Sequence, residues 1–504
     1  MAQARWRAWS WLLVLWMGLP LSAVAQPDDP RAQLLAVQKA MQSAIEQAEP
    51  AIACVLVSRS DRYTQLAPRF APANASIPGQ LGNFDSRPFL NGPDEKLARR
   101  LDLSDPDTVP DAYGSGVVLA STGLILTNYH VIQDATKIFV RLPGRIGSYA
   151  DIHAADPRSD LAVLKLQRNL GPLKTLPLGD GAAVRKGDWV ISLANPFAVG
   201  FRDGSPSASW GIISNLRRRA PGSLREEQRT RSLHHYGTLI QTDARLNLGV
   251  SGGALISLQG ELIGLTTSLA AVVGGETAGG FAIPMDRNLK RIVQVLLDGR
   301  EVEYGFLGIA VGPPGPPSPS VGIEVRSVTP GSPAAIAGIR PGDTLTGIDG
   351  QPVREPDDLF LHVGSALAGN EVVLSLVSQL GNARRVTTRL AKFYLNQGSI
   401  ASQRPPAVFG LRVDYSSVML DAVRLTEVPR GVLVREIEPG SPAEQKLKKL
   451  QDNVGRLLIT EVNGVPIINP SEFLRESAKK PQQITLSVVD ANRPDDPPQT
   501  IRLP

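Results

Sequence analysis

The stretch "NLGVSGGAL", residues 247–255, sets one serine among glycines. Gly249 precedes Ser251 by two positions and Gly252-Gly253 follow it, so backbone amides can approach a substrate carbonyl closely. That is the local chemistry of a hydrolase nucleophile beside an oxyanion hole. A serine nucleophile also needs a base within hydrogen-bond reach and an acid that orients the base. Upstream, His130 stands in "LILTNYHVI" (124–132), at the end of an apolar run, where its ring is fixed yet reaches a cleft. Asp160 stands in "DPRSDLAVLKL" (156–166), just ahead of a second apolar run that buries it against an imidazole. Taken singly, His130 reads as a satisfied core histidine, Asp160 as a strand-start cap and Ser251 as part of a glycine turn. The three contexts together, in the order His, Asp, Ser, favour the catalytic reading.

Around these residues the chain is a succession of short apolar runs. "ACVLV", "GVVLA", "GLILTN", "KIFVRL", "DLAVLKL", "DWVISLA", "GTLIQTD", "GALISL" and "ELIGLTTS" are separated by Gly, Pro, Asn and Asp. Such a pattern predicts a β-barrel or sandwich rather than alternating βα units. The absence of a βα pattern sets aside an α/β-hydrolase acting on sugar or lipid, whose triad order is Ser, Asp, His. Ahead of the runs, Leu34, Val37, Met41, Ile45 and Ala48 recur at helical spacing and predict an amphipathic helix over 31–48. A long polar stretch rich in Pro, Asn and Asp fills 58–113, a loop long enough to be functional or mobile.

The C-terminal part repeats itself. "VRSVTPGSPA" (325–334) returns as "VREIEPGSPA" (434–443), and "GIDGQPV" (347–353) as "EVNGVPI" (461–467). The period is too long for a solenoid and predicts two related domains, each with a Pro-Gly turn and an Asp-Gly or Asn-Gly hairpin. Later helices are expected near 355–367 and 470–480, and "NQGSIASQRPPA" (396–407) reads as a linker. His362 lies on the first of those helices, facing either a groove or, as the commoner case, solvent.

At 504 residues the chain is too long for one core, and 42% apolar with 20% charged residues is a globular composition. Arg5 and Arg7 precede "AWSWLLVLWMGLPL", and "AVA" ends the segment at residue 25, the three parts of a secretory signal cleaved before Gln26. As a membrane anchor the run falls short of the roughly 18 to 20 residues needed to span. Export is therefore expected, with no stable membrane span. The one cysteine, Cys54, cannot form an internal disulfide and reads as a small buried hydrophobe. The net charge of +5 concentrates in Arg217, Arg218, Arg219, Arg225, Arg229 and Arg231. Without interleaved aromatics that stretch reads as a solvated loop, and no nucleic-acid partner is expected. His234 and His235, with no Cys or spaced acid nearby, are poor metal ligands, so neither metal nor cofactor is expected.

"YGSGVVLASTGLILTNYHVI" (113–132), "DPRSDLAVLKL", "LIQTDARLNLGVSGGALISLQGELIGLTTS" (239–268) and "GGFAIP" (279–284) closely resemble segments of the HtrA (Deg) serine proteases, and the C-terminal repeat resembles their paired PDZ domains. The resemblance implies a mostly β chain: a trypsin-like double β-barrel over 26–300, then PDZ domains at 301–395 and, more divergent, at 408–504. It implies a catalytic His130, Asp160 and Ser251, with the Gly249 and Ser251 amides as oxyanion donors. It places the primary specificity pocket on Leu246 and Leu269, an aliphatic lining suited to small or medium apolar residues, and the carboxylate-binding loop of the first PDZ domain on Phe306, Leu307, Gly308 and Ile309. Expected partners are unfolded polypeptides and peptide C-termini, in a homotrimer or an assembly of trimers in the periplasm. The Arg-rich 217–235 stretch falls where the family carries a regulatory loop. The alternative is a catalytically weak chaperone or PDZ scaffold.

Two departures stand out. Val250 occupies a position usually held by Asn, where a stiff β-branched residue biases the oxyanion loop. In the second repeat "LKKLQDNVGRLLI" (447–459) replaces the tidier "AGIRPGDTLTGI" of the first.

Overall fold

The structure, a computed structural model, describes residues 30–60, 101–106, 108–219, 232–267, 280–312, 322–395, 398–422, 425–447, 454–493 and 496–504. The leader, most of the 58–113 loop, residues 220–231 and Leu269 lie outside them.

The apolar runs form two closed barrels. The first uses β1 (Ile52–Ser58), β2 (Ala112–Ala120), β3 (Leu124–Asn128), β4 (Lys137–Leu142), β5 (Ile146–Asp156) and β6 (Leu161–Leu166). All its ladders are antiparallel, and the pairing of β5 with β6 closes the ring. The second uses β7 (Trp189–Ala194), β8 (Ser207–Arg218), β9 (Leu239–Thr242), β10 (Ala254–Ile256), β11 (Leu262–Thr267) and β12 (Gly280–Pro284), closed by β7 against β10. Every residue of β1 is buried, because one face looks into the first barrel and the other is covered. Val190, Ile213, Ile240, Leu255, Ile263 and Ala282 form a separate core inside the second.

Two helices flank the pair. The helix Pro30–Ala48 matches the expected span, but only its later turns are used: Ala44 and Ala48 enter the main core while Leu34 stays exposed. The helix Arg287–Leu297 begins at Asp286, whose carboxylate accepts the Leu289 N–H, and lays Leu289, Ile292, Val293 and Leu296 inward, reaching β5 and β6.

The repeat is also a repeat in space. Ile309–Val311, Ile323–Val328, Thr344–Ile348, Glu371–Val377 and Ala383–Arg389 form one sheet, and Leu411–Tyr415, Val432–Ile437, Leu457–Val462, Ile484–Asp490 and Gln499–Leu503 form another with the same strand order. Each has its own core, around Leu345 and Leu374 in the first and Ile459 and Phe473 in the second. The helices Pro356–His362 and Pro470–Ala478 fall where the sequence puts them. The stretch read as a linker is tied down: Ile400–Ala401 pairs with β5 at Ala155 and Ala154, adding an edge strand to the first barrel. Lys392, buried, meets Glu301, Glu303 and Asp414 at 2.9 to 3.0 Å and joins the repeats at their roots. Among the described residues no helix is long and apolar enough to cross a membrane.

Candidate active site

The first barrel brings an imidazole and a carboxylate together. His130 does not end a strand; it sits in the helical turn Tyr129–Ile132 that follows β3. Asp160 closes the turn between β5 and β6 with φ 56°, a left-handed conformation that Asp tolerates better than most residues. The backbone around it accounts for the strain: the Asp160 carbonyl accepts the Tyr129 N–H and the Asn128 amide, each at 3.0 Å. The carboxylate then takes two bonds from His130. Oδ1 accepts the backbone N–H at 2.9 Å, and Oδ2 faces Nδ1 at 2.7 Å. The His130 side chain remains 42% exposed, so its other edge is open to a cleft.

These contacts fix the charges. Burial by itself would raise the Asp160 pKa, but the facing His130 charge and hydrogen bond, with a lesser contribution from His234, hold the carboxyl far below the usual carboxylate range. For His130 burial opposes the proton, Asp160 favours it more strongly, and the net shift is upward.

The second barrel carries Ser251, which is buried, and β2 of the first barrel holds its turn. The Ser115 N–H donates to the Ser251 carbonyl at 2.7 Å. The Ser115 hydroxyl donates to the Gly249 carbonyl and accepts the Asn195 N–H, both at 2.8 Å. Gly114 explains how close the parts come. A β-carbon there would stand 2.6 Å from Val131, the neighbour of His130, and 3.0 Å from the Ser251 carbonyl.

The nucleophile turn has its carbonyls anchored. Leu248 C=O accepts the Phe197 N–H at 2.6 Å, and Val250 C=O accepts the Thr266 hydroxyl at 2.6 Å and the Gly253 N–H at 2.9 Å. Because a trans peptide points its N–H opposite to its C=O, the Gly249 and Ser251 amides turn the other way. Gly249 has φ 91°, and a side chain there would strike the Asn195 carbonyl and the Tyr113 ring, so glycine is required. Val250 is buried.

Other expected positions fare differently. Leu246 is half-buried and packs on Gly280 at the start of β12, where a β-carbon would lie 2.1 Å from Leu246 Cδ1. Leu269 lies outside the described residues. In the first repeat Leu307 C=O accepts the Ala334 N–H and Gly308 C=O the Thr329 N–H, each at 2.9 Å. Phe306 pairs with Ala391, and Ile309 with Val328. In the second repeat Val408 and Leu411 exchange their N–H and C=O groups, each at 2.9 Å, closing the equivalent turn on itself.

Two histidines and the arginines depart from expectation. His234 is buried, and its Nε2 lies 3.8 Å from Asp160 Oδ2, behind the carboxylate rather than in a metal cluster. His362, partly buried, lines with His234 a cavity of about 440 Å³ between the second barrel and the helix Pro356–His362. Arg217 pairs with Asp358 and Arg219 with Asp357 on that helix, each at 2.7 Å, so the charge excess is partly met within the chain. Among the described residues no cluster of three or more metal-ligating side chains occurs.

Ser115, Asn195, Phe197 and Thr266 were not picked out by sequence reasoning. The available signal was "YGSG": a polar residue between two glycines in an otherwise apolar strand marks a close approach.

Comparison with known proteins follows the same lines. The trypsin-like peptidase domain family matches residues 114–265, and the PDZ domain family matches residues 324–371. Over 494 residues the chain is 30% identical to the periplasmic serine endoprotease DegP of Salmonella typhimurium, across 94% of this chain and 95% of that one. It is 32% identical to the periplasmic pH-dependent serine endoprotease DegQ of Escherichia coli, across 78% of this chain and 81% of that one. The solved structure of the HtrA-type protease AlgW with a tripeptide is 27% identical, with a TM-score of 0.48, covering 73% of this chain and 98% of that one.

Proposed function

This chain belongs to the HtrA (Deg) family of serine endoproteases, and from that premise we propose that it hydrolyses peptide bonds of unfolded or misfolded exported proteins through His130, Asp160 and Ser251. The observation that carries the assignment is the 2.7 Å contact of His130 Nδ1 with Asp160 Oδ2, at the seam where β2 grips Ser251.

With Nδ1 bonded to an ionised Asp160, the proton-accepting nitrogen of His130 is Nε2. Nε2 takes the Ser251 proton as the hydroxyl attacks the scissile carbonyl. The oxyanion formed is met by the Gly249 and Ser251 N–H groups, which their anchored carbonyls turn away from the protein. His130 then protonates the leaving amine, and water releases the acyl group by the same steps in reverse.

Substrate choice follows from Leu246 and Leu269. An aliphatic lining with no buried charge selects small or medium apolar residues and rejects Lys and Arg. Such residues are exposed mainly in unfolded chains. The first repeat, through the loop Phe306–Ile309 and the edge strand Ile309–Val311, receives peptide C-termini by strand addition and regulates cleavage. The proposal includes a leader removed before Gln26, a protease unit to residue 300, repeats at 301–395 and 408–504, a periplasmic location as in the named relatives, and a homotrimer.

A fluorophosphonate probe tests the assignment. Wild type is labelled on Ser251 and Ser251→Ala is not. A folded wild type that takes no label would instead favour a non-catalytic chaperone or scaffold.

A further inference from the structure

The turn that carries Asp160 also carries Arg158, and Arg158 points the other way, into the first repeat. The side chain is buried, with 5% of the residue exposed. Its guanidinium lies 4.6 Å from the Tyr304 ring centroid and 4.8 Å from that of Phe393. Nε and Nη1 have no hydrogen-bond partner, and no ion pair joins Arg158 to a described carboxylate. Asp156, two residues before it, acts on Arg158 by charge alone; its buried Oδ1 has no hydrogen-bond partner, and its bonds are all made by Oδ2. It accepts the Tyr304 hydroxyl, the Ser159 hydroxyl and the Ser159 N–H. A buried arginine is ordinarily paired, and an unpaired one carries an unmet demand for an anion.

The place where it emerges is a groove. Arg158 and Tyr236 from the protease barrels face Leu307, Gly308, Phe360 and Gly364 of the first repeat across a cavity of about 160 Å³. Arg158 Nη2 comes within 2.9 Å of where a β-carbon of Gly364 would stand, so the glycine is what admits the guanidinium to the wall. On the opposite side the Leu307 carbonyl is held by Ala334, which turns the Gly308 N–H toward the open side of the loop. Gly308 itself has φ 85°. A backbone donor and a guanidinium with no hydrogen-bonded anion line one small, largely apolar space. The ligand that satisfies both is a carboxylate attached to an apolar residue.

We propose that Arg158 is a ligand-binding residue of the first repeat, taking the terminal carboxylate of an apolar peptide end together with the backbone of the Phe306–Ile309 loop. The inference rests on the peptide-binding reading of that repeat and deepens it, because the charge comes from the protease part of the chain. It also shortens the distance from ligand to chemistry: Arg158 is two residues from Asp160, in a turn that Tyr304 clamps from the repeat side. Terminal carboxylate and triad acid are held by one turn of backbone.

The test uses the full chain carrying Ser251→Ala, to prevent digestion, and a short fluorescent peptide ending in Leu-Val, prepared as free acid and as C-terminal amide. The background protein binds the acid roughly tenfold or more tighter than the amide, the scale of a charge-assisted bond. Adding Arg158→Gln removes most of that preference and leaves the amide affinity within about twofold. Arg158→Lys, which keeps the charge but not the planar fork, retains part of the preference and carries the test if the glutamine variant does not fold. An acid preference undiminished in Arg158→Gln overturns the inference and leaves the peptide-binding reading standing. Equal weakening of acid and amide also overturns it, by making Arg158 a structural residue. If the background protein binds neither peptide, the peptide-binding reading falls and Arg158 falls with it.

Discussion

The two barrels contribute unequally to the site. In the first, the direct hydrogen bonds on His130 and Asp160 come from its own turns: the Tyr129 N–H, the Asn128 amide and the two contacts between the residues themselves. The Leu233 N–H reaches the Arg158 carbonyl of the same turn from the second barrel's side. In the second, the Ser251 turn depends on groups from elsewhere, above all Ser115 of the first barrel, which holds both the Gly249 and the Ser251 carbonyls. The direct hydrogen bonds of the His130–Asp160 pair lie within one barrel, whereas the Ser251 turn borrows Ser115 from the other.

The sharpest break in the comparison is Asp160→Asn. It removes the charge that fixes the His130 tautomer, and kcat/KM should fall by about 10⁴. It also shifts the pH profile in a definite direction. The carboxylate favours protonated His130, so the wild-type acid limb of kcat/KM lies above the ordinary imidazole value. Without the carboxylate the ring releases its proton at lower pH, and the residual activity extends further into acid. An unmoved acid limb would contradict the role of Asp160.

Ser115→Ala tests the borrowed half. It leaves the Gly249 carbonyl and the Asn195 N–H without their partner, at a cost of about 1 to 3 kcal/mol each when buried. We expect kcat to drop roughly 10- to 100-fold, with the acid limb where it is in wild type, since His130 and Asp160 are untouched. A shifted acid limb with normal kcat would mean that the barrels are coupled through the acid–base pair instead.

A smaller effect is expected at Val250. Its side chain is buried, so Val250→Asn places an amide among apolar neighbours and loosens the turn by a few-fold in resting and peptide-stimulated rates. Identical peptide turnover to wild type in both states would free Val250 of any role in shaping the loop. The smallest effect concerns Cys54. Burial pushes its thiol up to about 12, so the native protein should resist alkylation that proceeds readily once the chain is unfolded.

What the sequence made legible follows from burial. Strands such as β1 and β6, apolar along almost their whole length, stand out as runs. β5 and β8 do not, because they alternate buried and exposed residues and extend into turns, "IGSYADIHAAD" and "SASWGIISNLRR". His130 and Asp160, which the structure brings into contact, stood out in the sequence because each lies in a recognisable local context. Ser115 did not, since its role exists only where two barrels meet. The same holds for Arg158, His234 and His362. Each sits at the seam between barrels and first repeat, a place that no periodicity within one element specifies. The leader, the Arg-rich loop beyond Arg219 and Leu269 fall outside the described residues.

Two barrels of unequal independence are expected to assemble one serine protease site. The most direct measurement is hydrolysis of unfolded casein by wild type and by Ser251→Ala, with thermal denaturation confirming that both are folded. The account predicts cleavage by wild type after small or medium apolar residues and a loss of about 10⁴ or more in Ser251→Ala. Equal rates for the two proteins, or cleavage by wild type after Lys and Arg, would contradict it.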